Sequence, residues 1–210
     1  MGTIYVNGDR YPGPGVSPKP PDILLSKFDF TKDTDYLIDE VNPELSVSIT
    51  SSIVHDSNGL NFPNVNGQYI KIPNYQLIWN HFNKMYCEID IGNMNLDSSL
   101  NVNRRFLMNS NSTNGFVYRG GSSYNYWSIY NGSWITPGAV DTNINTFANS
   151  TVKILCTNGS LQIYKNNNLF FEVPNFSVAN PESTVFYIGV NSNNSINNIT
   201  IKGIRLYVKQ

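Results

Sequence analysis

The sequence predicts an all-β protein, namely a two-sheet antiparallel β-sandwich of the jelly-roll type preceded by an extended proline-rich arm. The first observation is a series of about a dozen short segments in which apolar and polar residues alternate. The second is that turns rich in asparagine, serine and glycine separate these segments at short intervals. The third is the lack of a good helix: residues 74–84 alone have helical spacing, but they are short and rich in asparagine, so we expect one turn or a loop there.

The N-terminal segment, residues 1–26, differs in composition from the rest of the chain. Residues 4–6 (IYV) predict a short strand and residues 7–8 (NG) a turn, and the run that follows, YPGPGVSPKPPD, contains five of the eleven prolines. Proline fixes φ and lacks a backbone donor, so repeated prolines favour an extended linker. We interpret residues 1–26 as an anchoring arm, with an ordered strap along the domain as the alternative.

Residues 27–210 are expected to form one domain, in which a second sheet covers the apolar face of the first. The domain opens with the alternating strand Lys27–Phe30. Alternation then predicts strands at residues 45–49, 60–62, 69–72, 86–91, 105–109, 115–119, 124–130, 184–190 and 199–208. The residues that we expect in the core include Cys87, Ile89, Ile91, Ile154, Ile163, Phe171, Ile204 and Leu206.

The clearest pattern lies in residues 151–173, TVKILCTNGSLQIYKNNNLFFEV. A first alternating run ends at a turn at residues 158–159 (NG), and a second run ends at residues 166–168 (NNN). A third run closes at Pro174, which cannot donate to a β-ladder. The segment therefore predicts a three-stranded antiparallel meander with one apolar face.

Several of these segments resemble the concanavalin A-like lectin/glucanase superfamily, in particular its laminin-G-like members. The resemblance covers residues 27–209 and depends on the order of the KFDF strand, the GLNFPNVNGQYIKIP hairpin, the MYCEIDIG strand, the LQIYKNNNLFFEV hairpin and the ITIKGIRLYVK strand. It implies a jelly-roll sandwich whose last strand pairs near the N-terminus. This superfamily contains lectins, hydrolases and adhesion modules, so the resemblance alone does not select a function.

Composition excludes two classes of partner. The formal net charge is −1 and charged residues make up only 14% of the chain, so the clustered cations that bind a polyanion are missing and we expect no nucleic-acid partner. No stretch approaches eighteen consecutive apolar residues. The N-terminus also lacks a basic region followed by an apolar one, so we expect neither membrane insertion nor a signal peptide.

The two cysteines, Cys87 and Cys156, each stand at an apolar position of a predicted strand. Buried free thiols behave as small hydrophobic residues, and we favour this interpretation; a disulfide is the alternative. The two histidines, His55 and His81, have no metal-ligand spacing to each other or to the cysteines.

Calcium is the one metal that the resemblance leaves open, because sandwich lectins often bind it with oxygen ligands from loops. The candidate ligands are Asp97, Asn101, Asp141, Asn143 and Asn145. Neither a twelve-residue loop nor a dense acidic cluster singles them out, so we expect no cofactor, with a structural calcium ion as the alternative.

The strongest catalytic candidate is the strand at residues 88–93, EIDIGN. Laminarinase-like glycoside hydrolases of the resembled fold contain E-I-D-x-x-E, in which the first Glu is the nucleophile and the last is the general acid/base. Asn93 stands in place of the second Glu, and an amide cannot protonate a leaving group. We therefore expect Glu88 and Asp90 to be outward residues of an alternating strand, and the protein not to be an enzyme.

Aromatic residues are concentrated in residues 116–134, with arginine and asparagine interleaved. Sugar C–H faces pack on aromatic rings, and sugar hydroxyls need planar amide or guanidinium partners. In residues 124–130 the tyrosines alternate with Trp127 and Ile129, which predicts one ligand face and one core face. Rings that fill the sandwich or an oligomer interface are the alternative. The residues that we expect to bind a glycan are Tyr118, Arg119, Tyr126, Tyr130 and Trp134.

These observations favour a non-catalytic glycan-binding or adhesion module that binds a host cell-surface polysaccharide. The proline-rich arm and the asparagine-rich surface are typical of a bacteriophage virion protein, assembled in the host cytoplasm and displayed on the capsid or tail, whose arm binds other virion proteins. Self-association of the chain is left open. The alternatives are a virion decoration protein without a ligand and a laminarinase-like glycoside hydrolase.

Overall fold

The structure, a computed structural model, describes residues 4–6, 9–11, 21–63, 65, 67–73, 85–95, 104–109, 115–121, 124–135, 143–157, 159–176, 185–189 and 198–210. As predicted, every regular element in these ranges is a β-strand. No helix long and apolar enough to cross a membrane occurs in this part of the chain. The proline-rich residues 12–20 and the turn predicted at residues 74–84 lie outside the described ranges.

Seventeen strands are described, and each pairs antiparallel with its neighbours. They are β1 (Ile4–Val6), β2 (Asp9–Tyr11), β3 (Ile23–Asp29), β4 (Ser48–Ile49), β5 (Val54–Asp56), β6 (Gly59–Phe62), β7 (Tyr69–Pro73), β8 (Met85–Met94), β9 (Arg104–Asn109), β10 (Gly115–Gly121), β11 (Tyr124–Tyr130), β12 (Trp134–Ile135), β13 (Ser150–Thr157), β14 (Ser160–Lys165), β15 (Asn168–Val173), β16 (Val185–Gly189) and β17 (Ile199–Val208).

The strands form two large sheets and one small hairpin. The seven-stranded sheet has the order β12-β11-β10-β9-β16-β7-β4. The eight-stranded sheet has the order β15-β14-β13-β8-β17-β6-β5, and β3 also pairs with β17. Strands β1 and β2 pair with each other, as residues 4–8 predict for the first of them, and join neither large sheet in the described residues.

The two sheets pack face to face around one hydrophobic cluster. Phe116 of the seven-stranded sheet lies 5.7 Å, centroid to centroid, from Phe171 of the eight-stranded sheet, and Phe147 packs edge-on at 5.5 Å from Phe116. The predicted core residues are all buried, which confirms Cys87, Ile89, Ile91, Ile154, Ile163, Phe171, Ile204 and Leu206. The two-sheet antiparallel β-sandwich is therefore confirmed.

The meander predicted in residues 151–173 is present as β13, β14 and β15. Ile154 pairs with Ile163, and Ile163 pairs with Phe171, so the apolar residues of the three strands share one face. Asn166 and Asn167 have φ of 50° and 64°, a left-handed conformation that asparagine tolerates better than most residues. The turn chemistry thus sets the register that aligns the apolar positions.

Strand β3 begins at Ile23, four residues before the predicted opening at Lys27. Residues 23–26, predicted as the end of the arm, pair with β17, with Ser26 opposite Leu206. The alternation of apolar and polar residues did not predict this part of the strand, because the residue that points inward, Ser26, is polar. The hydroxyl of Ser26 donates to the carboxylate of Asp39, which is fully buried and also accepts the backbone N–H of Lys27 at 3.0 Å. The division of the chain into an arm and one domain remains a prediction.

Candidate functional site

Pairing between β10 and β11 sorts the predicted aromatic residues into two faces. Phe116 pairs with Ile129 and Tyr118 with Trp127, and all four side chains lie in the core. The prediction that Tyr118 contacts a ligand is therefore wrong, because its side chain is only 3% exposed and packs edge-on against Trp127 at 5.5 Å between centroids. Neighbouring strand residues point to opposite faces, so Tyr118 and Arg119 could not both face outward.

The outer face of the same strands bears the remaining predicted rings. Tyr126 and Tyr130 are half-buried, and Trp134, on the edge strand β12, is 37% exposed. The rings of Tyr130 and Trp134 are tilted by 54° with centroids 4.9 Å apart, and the two residues are cross-strand partners. We call Tyr126, Tyr130 and Trp134 the aromatic platform. The backbone of Arg119 pairs with Tyr126, and its side chain lies outside the described part of the structure.

Strand β12 pairs with the end of β11 and forms the edge of the seven-stranded sheet. Ser128, between Tyr126 and Tyr130, is fully buried and donates its hydroxyl hydrogen to the backbone carbonyl of Ile135 at 2.8 Å. The turn before β12 contains Gly132 at φ 90°, a conformation that favours glycine. The rings at this edge are therefore held on a hydrogen-bonded strand pair rather than on a free loop.

Glu88 and Asp90 lie on the outer face of the eight-stranded sheet, as alternation predicts. Arg205 on the neighbouring strand β17 binds both: its Nη1 and Nη2 lie 2.5 and 2.9 Å from the carboxylate oxygens of Asp90, and its Nε lies 3.2 Å from Glu88. Thr151 donates to Asp90 at 2.6 Å, and the ammonium of Lys153 lies 3.6 Å from Glu88. Both carboxylates therefore have cationic partners.

These contacts change the acidity of the arginine. Burial by itself would lower the pKa of Arg205, but hydrogen bonds to Asp90 and Glu88, together with their charges, outweigh it and raise that pKa above its ordinary value. Arg205 therefore remains charged, and the carboxylates that it binds are held as hydrogen-bond acceptors. Asn93, at the position of the missing second Glu, is exposed.

A polar groove that the sequence did not reveal crosses the outer face of the eight-stranded sheet. It consists of three shallow cavities of about 250, 370 and 330 Å³, and Lys202 lines all three. The first is lined mainly by Asp90, Asn149, Thr151 and Asn166, the second by Asn58, Asn61, Asn93 and Thr200, and the third by Lys27, Asp29, Thr31 and Arg205. We call this surface the Lys202 groove.

The groove has no sequence signature, because its residues come from five strands and four turns that are distant along the chain. Many of its side chains are asparagines, which are so common in this chain that none stands out. Thr200 and Lys202 are polar residues at alternate positions of the closing strand, opposite the polar residues of β8. This is the signal in the sequence that could have indicated a polar surface here.

Two further sequence predictions concern single residue types. Cys87 is a buried free thiol, as favoured. Its pKa is raised, mainly by burial and in smaller part by the charge of Glu88. The side chain of Cys156 lies outside the described part of the structure.

Of the calcium candidates, Asp97, Asn101 and Asp141 lie outside the described part of the structure. Asn143 accepts the backbone N–H of Asn145 at 3.0 Å, and the described residues contain no group of three His, Cys, Asp or Glu side chains that could hold a metal.

Comparisons with known proteins give a likeness of fold. No protein-family model and no curated protein sequence matches the chain. Among solved structures, domain 4 of AbnA, an extracellular GH43 arabinanase from Geobacillus stearothermophilus in complex with arabinotriose, is 16% identical with a TM-score of 0.61, over 90% of this chain and 93% of that one.

Two larger proteins contain a similar domain. The botulinum neurotoxin serotype D binding domain is 12% identical with a TM-score of 0.63, over 89% of this chain and 48% of that one. Trypanosoma rangeli sialidase with the inhibitor DANA is 14% identical with a TM-score of 0.62, over 88% of this chain and 30% of that one. The chain thus spans about half of the toxin domain and under a third of the sialidase. These likenesses define the class of fold, an antiparallel β-sandwich.

Proposed function

We propose that this chain is a non-catalytic glycan-binding module that uses the aromatic platform, with Arg119 beside it, to contact sugar. The observation that carries the proposal is the placement of the Tyr130–Trp134 pair. Its rings lie on the outer face at a sheet edge, whereas Tyr118 and Trp127 of the same strands are buried. Rings at an exposed edge can pack against sugar C–H groups without disturbing the core.

The similar structures support this proposal at the level of the fold. The arabinanase domain, which this chain matches over nearly the whole length of both, is seen in complex with arabinotriose. The toxin domain is a receptor-binding domain in the related mosaic serotype structure. Domains of this shape therefore present ligand surfaces, and the sandwich provides a rigid support for one.

The state of the carboxylates supports a binding role rather than hydrolysis. A retaining glycosidase needs one carboxyl as nucleophile and a second, protonated one as acid. Glu88 and Asp90 are both bound to Arg205, and Asn93 stands at the position of the acid. Breaking these ion pairs would be needed before either carboxylate could attack a sugar.

The further part of the proposal is display on a bacteriophage capsid or tail, with the proline-rich residues 12–20 as part of the anchor. A sandwich with a polar surface that follows a proline-rich sequence is suited to this arrangement. The test is whether the gene lies in a bacteriophage genome and whether mass spectrometry detects the protein in purified particles of that phage. Particles that lack the protein would overturn this part and leave the binding function standing.

Glycan-array binding followed by affinity measurements on variants tests the function. Trp134→Ala should keep the melting temperature within about 3 °C of the parent, because its side chain is partly exposed, and should weaken binding about 5- to 30-fold. Leu169→Ala, at an exposed position of β15 in the other sheet, is the matched control and should change neither quantity.

Three outcomes would contradict the proposal in different ways. If no glycan binds, a decoration protein without a ligand is favoured. If polysaccharide incubated with the protein releases reducing ends, the chain is a hydrolase. If Trp134→Ala and Tyr126→Ala are stable and bind a confirmed glycan as tightly as the parent, the aromatic platform is not the site.

A further inference from the structure

Lys202 is positioned by two successive irregularities in the pairing of β17 with β8. Ile199 pairs with Met94 and Ile201 with Ile91, so β8 has one extra residue in this interval. The next pair is Gly203 with Asp90, so the extra residue then lies on β17 and is Lys202. A β-bulge of this kind re-aims a side chain and interrupts the regular ladder, and bulges are frequent beside binding and active sites.

The other side of β17 also changes at this residue. Up to Ile201 the strand pairs with β6, and from Gly203 onward it pairs with β3. The backbone carbonyl of Lys202 accepts the N–H of Phe30 at 2.9 Å at the junction. Lys202 therefore lies at the point of β17 where pairing on one side passes from β6 to β3 and pairing with β8 on the other side is irregular. All three cavities of the Lys202 groove share this point.

The stem of the lysine crosses Gly92 on β8. A Cβ atom added to Gly92 would lie 2.9 Å from the Cε atom of Lys202, closer than real Cβ contacts. The glycine thus leaves room for the lysine to extend along the groove. The end of the side chain is exposed, and in the described part of the chain it makes no hydrogen bond and no ion pair.

One group of charges beside the groove is internally balanced. Lys27 and Lys32 each lie 2.7 Å from the carboxylate of Glu40. Burial would raise the pKa of Asp29, but hydrogen bonds from Thr31 and the charges of Lys27 and Lys32 lower it below its ordinary value. These two lysines and two carboxylates sum to zero charge.

The second group of charges is balanced in the same way. Arg205 and Lys153 face Glu88 and Asp90 at distances from 2.5 to 3.6 Å. Two cations and two carboxylates again sum to zero. Of the charged residues that line the groove, Lys27, Lys202 and Arg205 are cations and Asp29 and Asp90 are carboxylates. Lys202 is the only one of the three cations that has no carboxylate partner among the described residues.

We propose that the Lys202 groove binds an acidic glycan, a sugar chain that bears a carboxylate on its ring, as in a hexuronate. The ammonium of Lys202 would pair with that carboxylate, and the amides of Asn93 and Asn149, which are exposed, would meet neighbouring hydroxyls. A positive charge surrounded by planar amides matches a carboxylated sugar, whereas a neutral sugar would make no use of the charge. This inference rests on the proposal that the chain binds glycans, but not on the aromatic platform.

The volume of the groove agrees with such a ligand. Two of the three cavities, of about 370 and 330 Å³, reach the lower end of the range of small-molecule sites, and all three meet at Lys202, so that adjoining units of a sugar chain can lie around the lysine. Because the cavities are shallow, binding would use one face of the sugar chain and leave the other in solvent.

The test compares oligogalacturonate with the same oligosaccharide after its carboxylates are reduced to alcohols, by isothermal titration at low and at physiological salt. The parent should bind the acidic form more tightly than the neutral form. Lys202→Gln should weaken binding of the acidic form about 5- to 30-fold, leave the neutral form unchanged and remove most of the salt dependence. Lys71→Gln, on β7 of the other sheet, makes the same charge change and should have no effect.

The outcomes separate this inference from the proposed function. If glycans bind and depend on Trp134 but not on Lys202, the inference is overturned and the proposed function stands. If Lys71→Gln weakens binding as much as Lys202→Gln, the attraction is unspecific and the inference is overturned. If no glycan binds at all, both fail. If binding of oligogalacturonate depends on Lys202 and not on Trp134, the groove is supported and the aromatic platform is not the site.

Discussion

Arg205 and Asp90 form a two-point ion pair across β17 and β8, with Nη1 and Nη2 of the arginine 2.5 and 2.9 Å from the two oxygens of the aspartate. The direct cross-strand partner of Arg205 is Glu88, so the guanidinium reaches diagonally to Asp90 while its Nε contacts Glu88. A planar guanidinium can bind both carboxylates at once, which a lysine ammonium cannot do with the same geometry. Both carboxylates of this E-I-D sequence are therefore part of one ion-pair network.

The first prediction concerns this network. Arg205→Met should lower the free energy of unfolding by about 1–3 kcal/mol, because it leaves two neighbouring carboxylates on a half-buried surface with only Lys153 to compensate them. Arg205→Lys should lower it less, since it keeps the charge but not the two-point contact. Urea unfolding with a linear extrapolation measures both.

Lys32→Met is the control for this prediction. Lys32 pairs with Glu40 at 2.7 Å, but its side chain is 47% exposed, so its removal should lower the free energy of unfolding much less than the removal of Arg205. If Arg205→Met lowers the free energy of unfolding no more than Lys32→Met does, the Arg205 network contributes no more than an ordinary surface ion pair.

The second prediction concerns the start of the sandwich. Deleting residues 1–20 should lower the melting temperature by a few degrees at most, since the β1–β2 hairpin pairs with neither large sheet in the described residues. Deleting residues 1–26 should lower it by roughly 6–12 °C, about 3 kcal/mol. The longer deletion removes the pairing of residues 23–26 with β17 and the hydroxyl that donates to the buried carboxylate of Asp39.

Differential scanning calorimetry of the two truncations decides the point. Ser26→Ala in the full chain is the intermediate control, because it removes the hydroxyl and keeps the strand. If the two truncations have equal melting temperatures, residues 21–26 do not contribute to stability. The stabilising part of β3 would then begin at Lys27, the boundary that alternation alone predicts.

The third prediction concerns Cys87. Burial, and after it the charge of Glu88, raises the pKa of this thiol, so the thiolate that reacts with alkylating reagents is scarce at neutral and mildly alkaline pH. Iodoacetamide should not modify Cys87 in the native protein at pH 7 or at pH 9, and should modify it fully in guanidinium chloride. Peptide mass spectrometry reads Cys87 separately from Cys156. Native labelling of Cys87 that rises between pH 7 and 9 like that of a free thiol would contradict its burial.

Regular alternation was a reliable guide wherever one face of a strand is wholly apolar. The meander at residues 151–173 and the face of Cys87, Ile89 and Ile91 were predictable because burial of one face requires period-two alternation and a shift by one residue would expose it. The same rule separates Trp127 and Ile129, which are buried, from Tyr126 and Tyr130 on the other face.

Alternation failed to predict burial in two situations. In one, a polar residue points inward; in the other, pairing with a neighbouring strand decides which face of the sheet a residue occupies. Ser26 is buried against a carboxylate thirteen residues away, a partner that no local pattern shows. Tyr118 belongs to the aromatic stretch of residues 116–134 that predicts a ligand surface, and only its pairing with Trp127 places it in the core. In both cases the deciding contact comes from a different part of the chain.

The sequence by itself determined the all-β class, the turns of the meander and the identity of the core residues, because these depend on periodicity and on turn chemistry that act over a few residues. Only the tertiary structure decided which carboxylates are neutralised, that the closing strand bulges at Lys202, and that asparagines from distant turns line one groove with it. The reason is physical: strand pairing joins residues more than a hundred positions apart, such as Arg205 and Asp90, and no local pattern encodes the register in which such strands meet.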